Sequence, residues 1–381
     1  MSESNNRPIY LDYNATTPHD QEVIAAMRPY LETHFGNPSS SYEYGRHTRA
    51  AVERAREQVA ALLGCQPEEI IFTSGGTESN NYAISGVAFH RKDRGNHLIT
   101  SQIEHPAVME VCQHLEQHGF DVTYLPVDKF GRVSASDVAR TVTDRTILIT
   151  VMHANNEVGT IQPIEEIARI TRERDILLHT DAAQSVGKLP TEVKQLGVAL
   201  LSVAGHKVYA PKGIGALYVR DGVQLAPLMH GAGQEDGRRP GTENVLEIVG
   251  LGKACKIARR DLEKNRRHMQ AMRDQLEQGL RQKIPDLRVN GHPEHRLPNT
   301  LNVSFPGINA DKLLARLAPQ VAASAGAACH ADQVELSSVL KAMKVPPKLG
   351  RGTIRLSVGK MTTESEITEA IRHISTAASL V

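Results

Sequence analysis

Ile176-Leu-Leu-His-Thr-Asp-Ala-Ala-Gln184 is a short apolar run that stops in an acid followed by small and polar residues. Bounded in this way, such a run reads as a buried strand. Upstream, Thr146–Val151 has the same character, and downstream so does Leu200–Val203. Further outward, Ile70–Thr73, His97–Thr100 and Gly213–Val219 extend the series. Amphipathic stretches separate them, among them Pro106–His118 and Pro163–Arg174, each with proline at a first-turn position where a missing N–H is harmless. Ahead of the series, Arg49–Leu63 puts Val52, Ala55, Val59, Leu62 and Leu63 on one helical face. Strands alternating with helical crossovers predict an α/β fold with a mainly parallel sheet.

Beyond Val219 the pattern changes. Gly231–Gly241 is a polar, glycine-rich loop of a length usually kept for function. Asn244–Lys283 is one long helical region whose charged middle, Arg259–Arg273, reads as a solvated face. Strands at Thr300–Phe305 and Thr353–Val358, with helices at Asp311–Ala318 and Glu364–Ala377, suggest a smaller α+β unit. A chain of 381 residues exceeds the size of one hydrophobic core. The expected division is a large domain over 18–250 and a small domain built from 1–17 and 251–381.

Hydrophobic residues at 40%, charged residues at 23% and a formal net charge of +1 describe an ordinary soluble globular protein without a polyanion-binding surface. Direct nucleic-acid binding is therefore not expected. The chain has no apolar run of about 18 residues, and its opening lacks the basic and apolar regions of a secretory signal. The expected setting is the cytoplasm, with no membrane partner. The cysteines, Cys65, Cys112, Cys255 and Cys329, are far apart and form no CxxC pair, which argues against a metal site and a disulfide framework. Three lie in helix-like segments where a buried thiol is the plain reading. Cys329 differs, because Ser324-Ala-Gly-Ala-Ala-Cys-His330 offers little bulk to bury it.

Three strand ends carry candidate chemistry. Ser74-Gly-Gly-Thr-Glu-Ser79 follows a strand and opens a helix, so its free N–H groups suit a phosphate, although a plain tight turn reads equally well. It lacks the GxGxxG spacing of dinucleotide sites. Asp181 ends its strand where open α/β sheets bind ligands; it is either a helix cap or a partner for a protonated pyridine nitrogen. Lys207, in Ala204-Gly-His-Lys-Val-Tyr209, is either a solvated loop lysine or a Schiff-base amine. A phosphate cradle, a pyridinium partner and an amine together point to pyridoxal 5′-phosphate (PLP).

At this point the chain resembles the group I cysteine desulfurases of the NifS and IscS kind, within the fold-type I PLP-dependent transferases. The resemblance rests on Tyr10-Leu-Asp-Tyr-Asn-Ala-Thr-Thr-Pro18, Phe35-Gly-Asn-Pro-Ser-Ser40, Thr73–Ser79, Glu104-His105, His153-Ala-Asn-Asn-Glu-Val-Gly159, Asp181–Ser185, Gly205-His-Lys207, Arg239-Pro-Gly-Thr-Glu243, Gly326-Ala-Ala-Cys329 and Thr353-Ile-Arg-Leu-Ser357. It implies that Lys207 carries PLP, Asp181 meets the pyridine nitrogen and His105 stacks on the ring and takes part in catalysis. It further implies that Gln184 and Asn156 address the ring hydroxyl, while Gly76, Thr77 and His206 hold the phosphate with Thr242 from the other subunit of a homodimer. Arg355, Asn156 and Asn14 are implied for the L-cysteine substrate, Arg355 through its planar fork of donors. Cys329 is the implied sulfur acceptor, passing a persulfide to a protein partner and leaving alanine.

Some positions depart from the pattern. Ala204 stands where a serine or threonine commonly donates to the phosphate, a bond of about 0.5–1.5 kcal/mol. Gly-Ala-Ala-Cys-His replaces the more usual Gly-Ser-Ala-Cys-Thr around the nucleophile, with His330 read as a bystander rather than the base. The sequence ends at Val381, where iron–sulfur cluster assembly members carry a scaffold-docking tail. Ala-Ala-Cys-His and Arg-Pro-Gly-Thr-Glu-Asn are also similar to selenocysteine lyases and to desulfurases of DNA phosphorothioation. Those two, and a PLP-bearing sulfur-relay scaffold without turnover, are the alternatives.

Overall fold

The computed structural model describes residues 7–381 except 326 and 331–332, and the side chains of 327–330 and 333–335 lie outside the described set. The apolar runs become strands of one seven-stranded sheet. Its members are Ile70–Thr73 (β1), His97–Ser101 (β2), Asp121–Leu125 (β3), Thr146–Thr150 (β4), Leu177–Asp181 (β5), Leu200–Ala204 (β6) and Gly215–Val219 (β7). The spatial order is β1-β7-β6-β5-β4-β2-β3. Neighbours are parallel except around β7, which runs antiparallel to both β1 and β6.

Period-two alternation sends successive side chains to opposite faces, and both faces are covered. Ile99, Ile149, Leu178 and Leu201 join one core with Val52, Val59 and Leu63 of the helix Glu43–Leu63 (α1). Leu98, Leu148, Leu177 and Leu200 join the other with Ile84 of the helix Gly76–His90 (α2) and Val108 of Pro106–Glu116 (α3). The helix Ile164–Arg172 (α4) adds Ile164 and Ile167 to the first core. β3 was not expected from the sequence. It is an edge strand with only its last residue buried, so it lacks the apolar run that marks the inner strands.

The helix Val245–Lys283 (α5) runs through 39 residues and serves two cores. Ile248, Leu251 and Cys255 pack under the large sheet, whereas Met269, Met272, Leu276 and Leu280 belong to a second core. The charged middle is not solvated throughout: Arg273 is buried and donates to the Leu297 carbonyl at 2.7 Å. The second core lies against an antiparallel sheet of Arg288–Asn290 (β8), Thr300–Ser304 (β9), Ser324–Ala325 (β10) and Thr353–Ser357 (β11), in the order β10-β11-β9-β8. Helices Ala310–Leu317 (α6) and Glu364–Ala378 (α7) complete this α+β layer. The N-terminal segment joins it, since Ile9–Tyr10 pairs with Val321–Ala322 and Asp12 bridges Ser357. Among the described residues, no helix is long and apolar enough to cross a membrane.

Candidate active site

The carboxyl ends of β5 and β6, the start of α2 and the N-terminal segment surround a cavity of about 410 Å³. Open α/β sheets bind ligands at such an edge. Lys207 follows β6 in a tight turn and points its Nζ at the carbonyls of Asn14 and Ala15, the latter at 2.8 Å. Burial pushes its amine down to about 8, helped by the like charge of Arg355 and opposed by Asp12 and Asp181. An amine near that value is available as a nucleophile close to neutral pH.

Asp181, the last residue of β5, is 8% exposed and faces into the cavity. Its two carboxylate oxygens accept from Asn80 Nδ2 at 2.7 Å and from the Ala183 amide at 2.9 Å. These donors fix the carboxylate and aim it into the cavity. Asn80 lies one helical turn after Gly76, which puts it on the same face of α2. The first turn of α2 supplies amides without intrahelical acceptors beside Gly76 and Thr77, both in the cavity wall. The turn before it needs Gly75 at φ 151° and ψ −176°, a conformation essentially reserved for glycine. Opposite Gly76 stands Ala204, whose Cβ would lie 3.2 Å from a Cβ added at 76.

His105 caps α3, with Nδ1 accepting from the Ala107 amide at 3.1 Å, so the ring is held and a neutral imidazole carries its proton on Nε2. Its neighbour Glu104 is buried and pushed up to about 8 by desolvation, while accepting from the Ser101 hydroxyl at 2.6 Å and the Met152 amide at 3.0 Å. This carboxyl ties the loop after β2 to the one after β4. His206 is held down at about 4 by burial and the nearby lysines, with Nδ1 against the Thr16 hydroxyl at 3.2 Å.

Arg355 on β11 reaches in from the second core. Its guanidinium donates to Asp12 Oδ1 at 2.7 Å, Ser324 Oγ at 3.1 Å and the Asn156 carbonyl at 3.0 Å, and its buried Nε has no partner among the described residues. Asn14 is 1% exposed and is fixed by Thr300 Oγ1, the Asn156 carbonyl and Asn299.

Asn14, Gly76, Thr77, His105, Asn156, Asp181, Gln184, His206, Lys207 and Arg355 thus line one cavity. Thr242 is exposed and does not line it. The side chain of Cys329 lies outside the described residues, although its backbone forms part of the strand Ala327–His330, paired with Gln333–Leu336. The sequence reading missed Asn80, Asp12 and Lys188. The four-residue step from Gly76 is a signal for Asn80, whereas Asp12 meets Arg355 across 343 positions and has none.

Residues 9–369 match the aminotransferase class-V family. The chain belongs to that family. Within it the chain groups with cysteine desulfurases: it is 49% identical over 370 residues to cysteine desulfurase IscS of Methanosarcina thermophila, covering 97% of this chain and 91% of that one. A solved NifS-like protein superposes with a TM-score of 0.93 at 39% identity, covering 98% of this chain and all of that one. SspA, solved in complex with cysteine, gives 0.81 at 41% identity over 93% of this chain and 99% of its own. PLP is the cofactor of this family, and the donor set fits it: an amine of lowered basicity, a buried carboxylate fixed by two donors, free helix N-terminal amides and a fixed imidazole surround a single cavity.

Proposed function

We propose that this protein is a PLP-dependent cysteine desulfurase that converts L-cysteine to L-alanine and places the sulfur on Cys329. The observation that carries the reading is the meeting of Lys207, Asp181, the α2 N-terminus and Arg355 around one cavity. When bound, PLP supplies an electron sink for a carbanion next to the substrate carboxylate. Lys207 would hold it covalently, Asp181 would pair with its ring nitrogen, His105 would stack on its face, and Gln184 and Asn156 would address its hydroxyl. Gly76, Thr77 and His206 would hold its phosphate, with Thr242 of a second subunit.

The remaining steps belong to the chain's own groups. Arg355 and Asn14, with Asn156, would fix the substrate carboxylate and so aim the α-hydrogen at the Lys207 amine. Freed when the substrate amine takes its place on the cofactor, the Lys207 amine, lowered to about 8, would remove the α-proton and return it after the sulfur has left. The Cys329 thiolate attacks the substrate sulfur, forming an S–S bond as the C–S bond breaks. The bonding pair stays with the substrate carbon, which takes a proton and becomes the methyl group of alanine. A protein acceptor then removes the outer sulfur of the Cys329 persulfide. The working form is a cytoplasmic homodimer, with a large domain over 18–250 and a small domain from 1–17 and 251–381.

The test compares turnover of cysteine and selenocysteine by the wild type and Cys329→Ala. The desulfurase reading expects the variant to lose alanine formation from cysteine. Full activity of the variant on selenocysteine alone would favour a lyase. A protein that carries the cofactor yet releases no sulfide with any acceptor would be a relay scaffold.

A further inference from the structure

Lys188 is 3% exposed and, among the described residues, has no carboxylate partner. Its Nζ instead donates to Gln184, four residues back, at the carbonyl (3.0 Å) and at the side-chain Oε1 (3.1 Å). The other end of that amide, Nε2, donates to the Asn14 carbonyl at 3.0 Å, which Lys207 Nζ also addresses. A lysine nitrogen has hydrogens to donate whether charged or neutral, and a carbonyl accepts only. The two contacts therefore fix the orientation of the Gln184 amide. Oε1 is held back toward Lys188, and Nε2, with one hydrogen on the Asn14 carbonyl, keeps its second for the cavity that Gln184 lines.

We propose that Lys188 is a positioning residue, which locks Gln184 as a hydrogen-bond donor toward the ring-oxygen side of the cofactor cavity. The arrangement deepens the PLP reading above and rests on it. An oxyanion on the cofactor ring needs a donor, and a flipped amide would present an oxygen to it instead. Burial is costly for a lysine without a counter-charge, and both of the contacts that offset it here fall on Gln184. The charged groups facing Lys188 are Lys207 and Arg355, with His206 on the Lys207 turn and Asp20 and Lys360 across the adjoining crevice. The like charges of Lys207 and Arg355 join desolvation in holding Lys188 at about 7.

The experiment is a pH titration of the visible band of the lysine-linked cofactor in holoenzyme carrying Lys188→Met, Gln184→Ala and both changes. Loss of a donor to the ring oxygen lets that oxygen hold the neighbouring nitrogen's proton more tightly. Lys188→Met is expected to raise the midpoint by about one pH unit, and the shift to shrink by at least half when Gln184 is already alanine. An unchanged midpoint, or the same shift in both backgrounds, overturns the assignment. Should Lys188→Met not fold, Lys188→Gln, which retains a donor without charge, replaces it: a midpoint near that of the wild type supports positioning, and a full shift overturns it. If the PLP reading itself is wrong, no visible band forms even in the wild type, which separates the two failures.

Discussion

The polar loop 231–241 is tied to the large sheet by a buried ion pair that can be tested directly. Arg56 of α1 and Glu235 are 8% and 7% exposed and form two parallel contacts of 2.8 Å. The pair also satisfies the sheet edge, since Arg56 donates to the Ile70 carbonyl at 2.9 Å and Glu235 accepts from the Phe72 amide at 2.9 Å. Glu235 and Asp236 are held at φ 50° and 56°, a left-handed conformation that costs non-glycine residues roughly 1–2 kcal/mol each. Glu235→Ala leaves the buried Arg56 with only the half-exposed Glu53 carboxylate, 3.2 Å from its Nε, so the expected loss is about 3 kcal/mol, at the low end for a broken buried pair. Arg56→Met with Glu235→Met removes both charges and leaves only the two backbone groups to resatisfy, for a smaller loss of about 1–3 kcal/mol. Equilibrium urea unfolding measures both, and limited proteolysis within 231–241 reports on the loop. A Glu235→Ala loss below about 1 kcal/mol, or a double variant no better than the single one, would refute the reasoning.

Other predictions follow from the site. Lys207 falls from 10.5 to about 8 in the folded protein, so in the apoprotein its reaction with a small aldehyde, followed by peptide mass analysis, is expected to be half-maximal near pH 8. The unfolded chain binds more protons at this group between those values, so its contribution to stability grows as pH rises through the window. Arg355→Met removes a like charge and is expected to move the aldehyde midpoint upward. Glu104 is displaced the other way, from 4.5 to about 8, so its contribution is full below 4.5 and is lost as pH rises toward 8. Chemical denaturation of Glu104→Gln across that range is expected to show a flatter profile than the wild type. Ala204→Ser adds a hydroxyl beside the α2 N-terminus and is expected to tighten cofactor binding by about 0.5–1.5 kcal/mol, read by titrating apoprotein; weaker binding would mean that Gly76 lies too close for the added atom.

The inner strands were legible because burial on both faces imposes apolar runs, as in Ile147–Ile149 and Ile176–Leu178. The edge strand β3 carries no such constraint and escaped notice. Asp181 and Lys207 were readable as chemistry because each follows such a strand directly. What could not be read were partnerships formed by folding: Asp12 with Arg355, Asn80 with Asp181, and Lys188 behind Gln184. The middle of α5 misled for a related reason. Its charge count describes a solvated face, while Met269 and Arg273 lie on the buried side.

The central claim is that sulfur from cysteine comes to rest on Cys329. The most direct test is mass analysis of the peptide bearing Cys329 after one turnover of holoenzyme with L-cysteine and no acceptor, with alanine counted in the same sample. The account predicts one added sulfur on Cys329 per alanine formed, and neither product from Cys329→Ala. Alanine formed by that variant at the wild-type rate, or the added sulfur found on Cys65, would contradict it.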